Sequence, residues 1–202
     1  MSLFKKLFKR SNEQDDETGQ QSKYMPKEKL PLDELFIEKF QRQGGRFLYC
    51  PSEGEVDNFL KDVIEEHDFK NKDVFCLDNA LTDRFKDFEI NLSKYNINSS
   101  FFLTGCEYII ADTGALLFTS NQVKDFKPKE LPHTYVVLAR MSQLVGSISE
   151  GLTGIKLKHK TNIPSNITTL KTFDNGKQVE EQSLLNYGVP MKCLYLILVE
   201  DL

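Results

Sequence analysis

Apolar positions change period along this chain, and each change predicts an element. Leu32, Leu35, Phe36 and Phe40 recur at helical spacing, so residues 32–41 are predicted to form an amphipathic helix that Gly44-Gly45 stops. Arg46 to Cys50 then reads as a strand. Ser52 is placed as the N-cap of a second helix whose stripe is Val56, Phe59, Leu60, Val63 and Ile64. Asp73 to Leu77 is a short buried strand, Asn79 to Phe85 a loop or short helix, and Phe101 to Leu103 a further strand. Leu144, Val145, Ile148 and Leu152 fit a later helix, and strands are expected near residues 167–173 and 193–199. The last run is almost continuously apolar, as in a strand covered on both faces. Strands alternating with helices imply βαβ units and a mostly parallel central sheet.

Before this pattern begins, the chain has a different character. Residues 11–31 are polar and read as a disordered linker, so the α/β domain is expected over residues 32–202. Residues 1–10, read as a helix, place Leu3, Phe4, Leu7 and Phe8 opposite Lys5, Lys6, Lys9 and Arg10. That layout suits weak contact of a cytoplasmic protein with the inner face of the membrane, and it reads also as a disordered start or as a segment that docks on a protein partner. The net charge of −4 provides no basic footprint for nucleic acid.

The densest chemical signal is the block from Thr104 to Phe118. An apolar segment enters Ala111-Asp112-Thr113-Gly114, and a second apolar strand follows at once. A glycine after small polar residues lets backbone N–H groups approach a ligand. The same tetrapeptide reads equally well as a tight turn closed by an Asx-type hydrogen bond. Of the four cysteines, Cys50, Cys76 and Cys193 lie in or beside apolar strands, and Cys106 adjoins Thr104-Gly105 within the block as a candidate reactive thiol. No cysteine or histidine spacing forms a metal motif, so neither metal nor cofactor is expected. His67 closes a helix, His159 sits in a lysine-rich run and reads as solvated, and His133 alone stands near the block.

This block resembles the central motif of the LUD domain family, the lactate-utilisation proteins. Leu131-Pro132-His133, opening another strand, resembles the segment that follows it in that family, and the likeness spans roughly residues 35–200. Near the end the family's Gly-Pro-Ser-x-Thr-[Ala/Gly]-Asp-Ile-Glu and His-Gly-Pro segments are represented by Pro164-Ser165 and by Gly188, without the acidic pair or the histidine. The resemblance implies a three-layer α/β/α sandwich of the sugar-phosphate isomerase and CoA-transferase type, shared with formyl-tetrahydrofolate cyclo-ligase. It also implies a component of lactate oxidation to pyruvate whose iron–sulfur centres sit on partner subunits. Two other functions stay open: an enzyme in its own right that binds a phosphorylated or acyl metabolite, and a non-catalytic interaction protein that keeps the fold. The candidate ligand-binding residues are Thr104, Gly105, Asp112, Thr113, Gly114 and His133, with Ser165 and Gly188 at the rim; no catalytic residue is assigned.

Overall fold

Helix α1 spans Leu32–Arg42 and buries Phe36 and Phe40, with Asp33 and Glu34 in its first turn and Lys39 and Arg42 in its last. Those charges oppose the helix dipole at both ends. Gly44 ends it at φ +90°, a left-handed conformation that only glycine adopts freely. These elements belong to a computed structural model that describes residues 30–171 and 192–201. The expectations for residues 1–29, the loop after Leu170 and Gly188 lie outside the described residues.

Next come β1 (Arg46–Cys50), α2 (Glu53–Glu66), β2 (Asp73–Phe75), α3 (Asn79–Phe85), β3 (Asn91–Ser93) and β4 (Phe101–Gly105). The chain continues through β5 (Tyr108–Ile110), β6 (Ala115–Phe118), α4 (Ser120–Val123), β7 (Thr134–Arg140), β8 (Leu144–Val145), α5 (Ile148–His159), β9 (Thr168–Leu170) and β10 (Cys193–Val199). Six strands form one sheet in the order β1-β10-β7-β4-β2-β3, and every pairing in it is parallel. The fold is therefore α/β with a parallel sheet between layers, as the alternation of elements predicted.

Both faces of that sheet are buried, and the two-residue period of a strand divides them. Along β10, Leu194, Leu196 and Leu198 join one core, while Cys193, Tyr195, Ile197 and Val199 join the other. The second core is closed by Val56, Leu60, Val63 and Ile64 of α2 and Phe85 of α3. The first is closed by Phe36 and Phe40 of α1 and by a second sheet.

This second sheet is mixed, in the order β8-β5-β6-β9, and sequence reading did not separate it from the main one. β5 and β6 form an antiparallel hairpin. Ile109, Leu116 and Phe118 face the main sheet, whereas Ile110, Ala115 and Leu117 face Ile155 of α5. The alternation again sends successive residues to opposite layers. Two local expectations are corrected here. Leu144 and Val145 are not helical: they pair with Ile109 and Ile110 as β8, and the helix starts only at Ile148. Ser52 holds the N-cap position of α2, but its hydroxyl makes no cap hydrogen bond.

The hairpin turn docks on α1. Gly114 has φ +63°, and a Cβ there would lie 2.6 Å from the backbone of Lys39 and Phe40. The side-chain amide of Gln43 donates to the Thr113 carbonyl, fixing the turn against the helix end. Gly114→Ala should destabilise the fold by about 3 kcal/mol, since backbone cannot retreat as a flexible side chain can. A fall in melting temperature of roughly 6–12 °C is the expected readout.

Candidate functional site

The carboxyl ends of the parallel strands open on a crevice of about 310 Å³, at the lower end of the range for small-molecule pockets. From β2 the chain steps outward to β3 and then returns past β2 to β4. Such a reversal of strand order is where open α/β sheets leave room for ligands. The floor comes from Thr104 and Gly105 at the end of β4, Leu138 to Arg140 at the end of β7, and Val199 at the end of β10. The walls carry Glu53 of α2, Asp78 and Arg84 of α3, and Asn121, Gln122 and Gln143.

Charge in the crevice is organised around Glu53. Its Oε2 accepts from Arg84 Nη1 at 2.6 Å and its Oε1 pairs with Arg140 Nη2 at 2.5 Å. Arg84 is further held by the Glu53 carbonyl at 2.8 Å and by Asp57 Oδ1 at 3.1 Å and 3.2 Å. The hydrogen bond from Arg84, more than the nearby charge of Arg140, keeps the Glu53 carboxyl below its ordinary range. Asp78 is engaged differently: its Oδ1 accepts from the Ala80 and Leu81 N–H groups and caps α3.

Behind the wall lies Glu107, only 2% exposed. Its Oε1 accepts from Asn121 Nδ2 at 3.1 Å, Gln122 Nε2 at 3.0 Å and Thr119 Oγ1 at 3.3 Å. Its Oε2 faces Lys158 Nζ at 3.1 Å. Burial by itself raises the pKa of a carboxyl, but hydrogen bonds from Gln122, Asn121 and Lys158 outweigh it and bring Glu107 to about 2. Asn121 thereby spends its NH₂ group on Glu107, and its carbonyl oxygen accepts no hydrogen bond among the described residues. Gln143 is committed at both ends, donating to the Cys106 carbonyl at 2.5 Å and accepting from the Arg140 N–H at 2.7 Å.

The structure brings Thr104 and Gly105 to this crevice and sets the other described candidates, Asp112, Thr113, Gly114, His133 and Ser165, elsewhere. The β5–β6 hairpin has its open end, with Glu107 and Thr119, behind the crevice wall. Asp112, Thr113 and Gly114 occupy its closed end, where Gly114 packs on α1 and the exposed Asp112 donates its N–H to the Gly146 carbonyl. His133 precedes β7 and lies at the amino edge of the sheet, opposite the crevice, where its carbonyl accepts from Cys193 N–H at 3.1 Å. The Ser165 carbonyl accepts from the Ser120 N–H at 2.9 Å in the loop after α5. The Cys106 thiol is buried and pushed well up by desolvation and by the neighbouring Glu107 charge, the reverse of a reactive thiolate. His159 is not simply solvated: its Nε2 is buried 3.7 Å from Glu107 Oε1. Among the described residues no group of three or more His, Cys, Asp or Glu is placed to hold a metal ion. No described helix is long and apolar enough to cross a membrane.

Glu53, Arg84, Glu107, Asn121, Gln122 and Arg140 escaped sequence reading. Two signals could have found part of the set. Arg140 ends the apolar run of β7 at its carboxyl end, and Glu107 is a lone charge at the start of an apolar hairpin.

Glu107 makes stability depend on pH. Its folded pKa of about 2 lies below the ordinary 4.5, so its contribution is complete above pH 4.5 and is lost as pH falls through 2. The size is about 3 kcal/mol. Glu107→Gln should cost a similar amount at neutral pH, with the gap to wild type closing between about pH 4.5 and 2 in urea melts.

A family model for the LUD domain matches residues 34–199. The 1.70 Å crystal structure of a DUF162 family protein from Deinococcus radiodurans is similar in fold, with a TM-score of 0.56 at 15% identity. That likeness covers 85% of this chain and 99% of the other. No curated protein matches the chain.

Proposed function

The chain belongs to the LUD domain family, and from that premise we propose that it is a component of lactate utilisation that binds a small carboxylate metabolite in the crevice. One observation carries the reading: a half-exposed guanidinium, Arg140, lines the same crevice as Asn121, whose side-chain carbonyl accepts no hydrogen bond among the described residues. A 2-hydroxy acid needs both, a cation for its carboxylate and an acceptor for its hydroxyl hydrogen. Thr104 and Gly105 form part of the floor of a crevice large enough for a small metabolite.

The crevice carboxylates favour a binding component over a self-sufficient oxidase. Glu53 is held by two guanidiniums and Asp78 caps a helix, so neither stands ready as a general base. Oxidising lactate to pyruvate removes two electrons and two protons. In this reading iron–sulfur partner subunits take the electrons, as family membership suggests, and this chain holds and orients the acid.

Calorimetric titration with L-lactate and pyruvate tests the proposal. Saturable binding is expected, and Arg140→Ala should weaken it about tenfold or more, the loss of a charge-assisted hydrogen bond. Absence of binding at millimolar ligand would remove the crevice from consideration.

A further inference from the structure

The Arg84–Glu53–Arg140 bridge joins three elements across the crevice mouth: the first turn of α2, the end of α3 and the carboxyl end of β7. Its two halves are built unequally. Arg84 is 29% exposed and is tied at Nη1, Nη2 and Nε to Glu53 and Asp57. Arg140 is 52% exposed, and among the described residues its side chain makes a single ion pair, through Nη2 to Glu53. A carboxylate already sits where an anionic ligand would meet Arg140, and it comes from the protein.

We propose that Glu53 is an internal stand-in for the ligand's carboxylate, pairing with Arg140 in the empty crevice and giving it up when an anion binds. The inference rests on the crevice being the ligand site and adds how that site is guarded. Exchange is cheap on the Arg140 side, because a half-exposed ion pair contributes little. It is one-sided, because Glu53 keeps Arg84 at its other oxygen and so never becomes an unpaired carboxylate. The α2 start is suited to the movement: residues 51–54 are exposed, and the Ser52 hydroxyl makes no cap that would pin the helix end. A ligand without negative charge has no means of displacing Glu53, so the bridge also selects for anions.

Four proteins decide the matter in calorimetric titrations with L-lactate: wild type, Glu53→Gln, Arg140→Met and the double variant, each checked for an unchanged far-ultraviolet circular dichroism spectrum. Glu53→Gln should bind about two- to fivefold tighter than wild type, the fold-change that corresponds to losing an exposed competing ion pair. Arg140→Met should bind weakly, and adding Glu53→Gln to it should change nothing. Equal or weaker binding by Glu53→Gln, with wild type still binding, would overturn the stand-in and leave the crevice reading intact. No binding by any of the four would sink both. Amide hydrogen exchange on unmutated protein gives a second readout: saturating L-lactate should speed exchange at the start of α2, residues 53–56. Slower or unchanged exchange there in a protein that binds would also count against the exchange of partners.

Discussion

Everything in this molecule depends on the burial of the parallel sheet on both faces. All seven residues of β10 are buried, and β7 beside it and β4 beyond are nearly so. A strand in that position has no polar face to offer solvent, and its backbone must be satisfied wholly by the strands beside it. Helices α2 and α3 shield one side, and α1 with the second sheet shields the other. Polar chemistry is therefore expelled to the strand ends. At the carboxyl edge it collects as the crevice, with Thr104, Arg140 and the helix-borne Glu53 and Arg84 around it.

Two kinds of electrostatics meet at that edge. Glu107 is buried, and its hydrogen bonds are directional and shielded from salt, so it acts as a fixed post that sets how Asn121 and Gln122 are turned. The Glu53 bridge is half exposed and screened by solvent. Rigidity behind the wall and exchangeability in front of it are complementary. A site needs donors and acceptors that stay put and a charge that can be handed over.

Much of the fold was legible because buried strands and amphipathic helices leave periodic marks. Phe36 and Phe40, the stripe of α2 and the apolar run of β10 lie where the spacing put them. β3 was missed because three residues, Asn91 to Ser93, carry too little hydrophobic signal. β8 was misread because Leu144 and Val145 lie at helical spacing from Ile148, yet their strand pairing with β5 overrides it. Legibility falls further at the site. Asp112-Thr113-Gly114 drew notice as a motif, and its glycine serves close packing on α1. Arg84, Glu53 and Arg140 carry no shared motif. They meet only because three separate elements end at one edge, and a linear pattern holds no record of that.

Sheet order also has a consequence in time. Among the described strands, β1 bonds to the main sheet solely through β10, with Arg46 opposite Tyr195 and Cys50 opposite Val199. β10 is inserted between β1 and β7, although it follows every other described strand along the chain. As the polypeptide leaves the ribosome, β1 is thus among the first strands made and the last to find a partner. Pairing across so much sequence closes a long loop, which slows the final step of assembly. Until then β1 and β7 each expose an unpaired apolar edge, the kind of surface that chaperones protect. The strand that completes the core is the one the nascent chain must wait for.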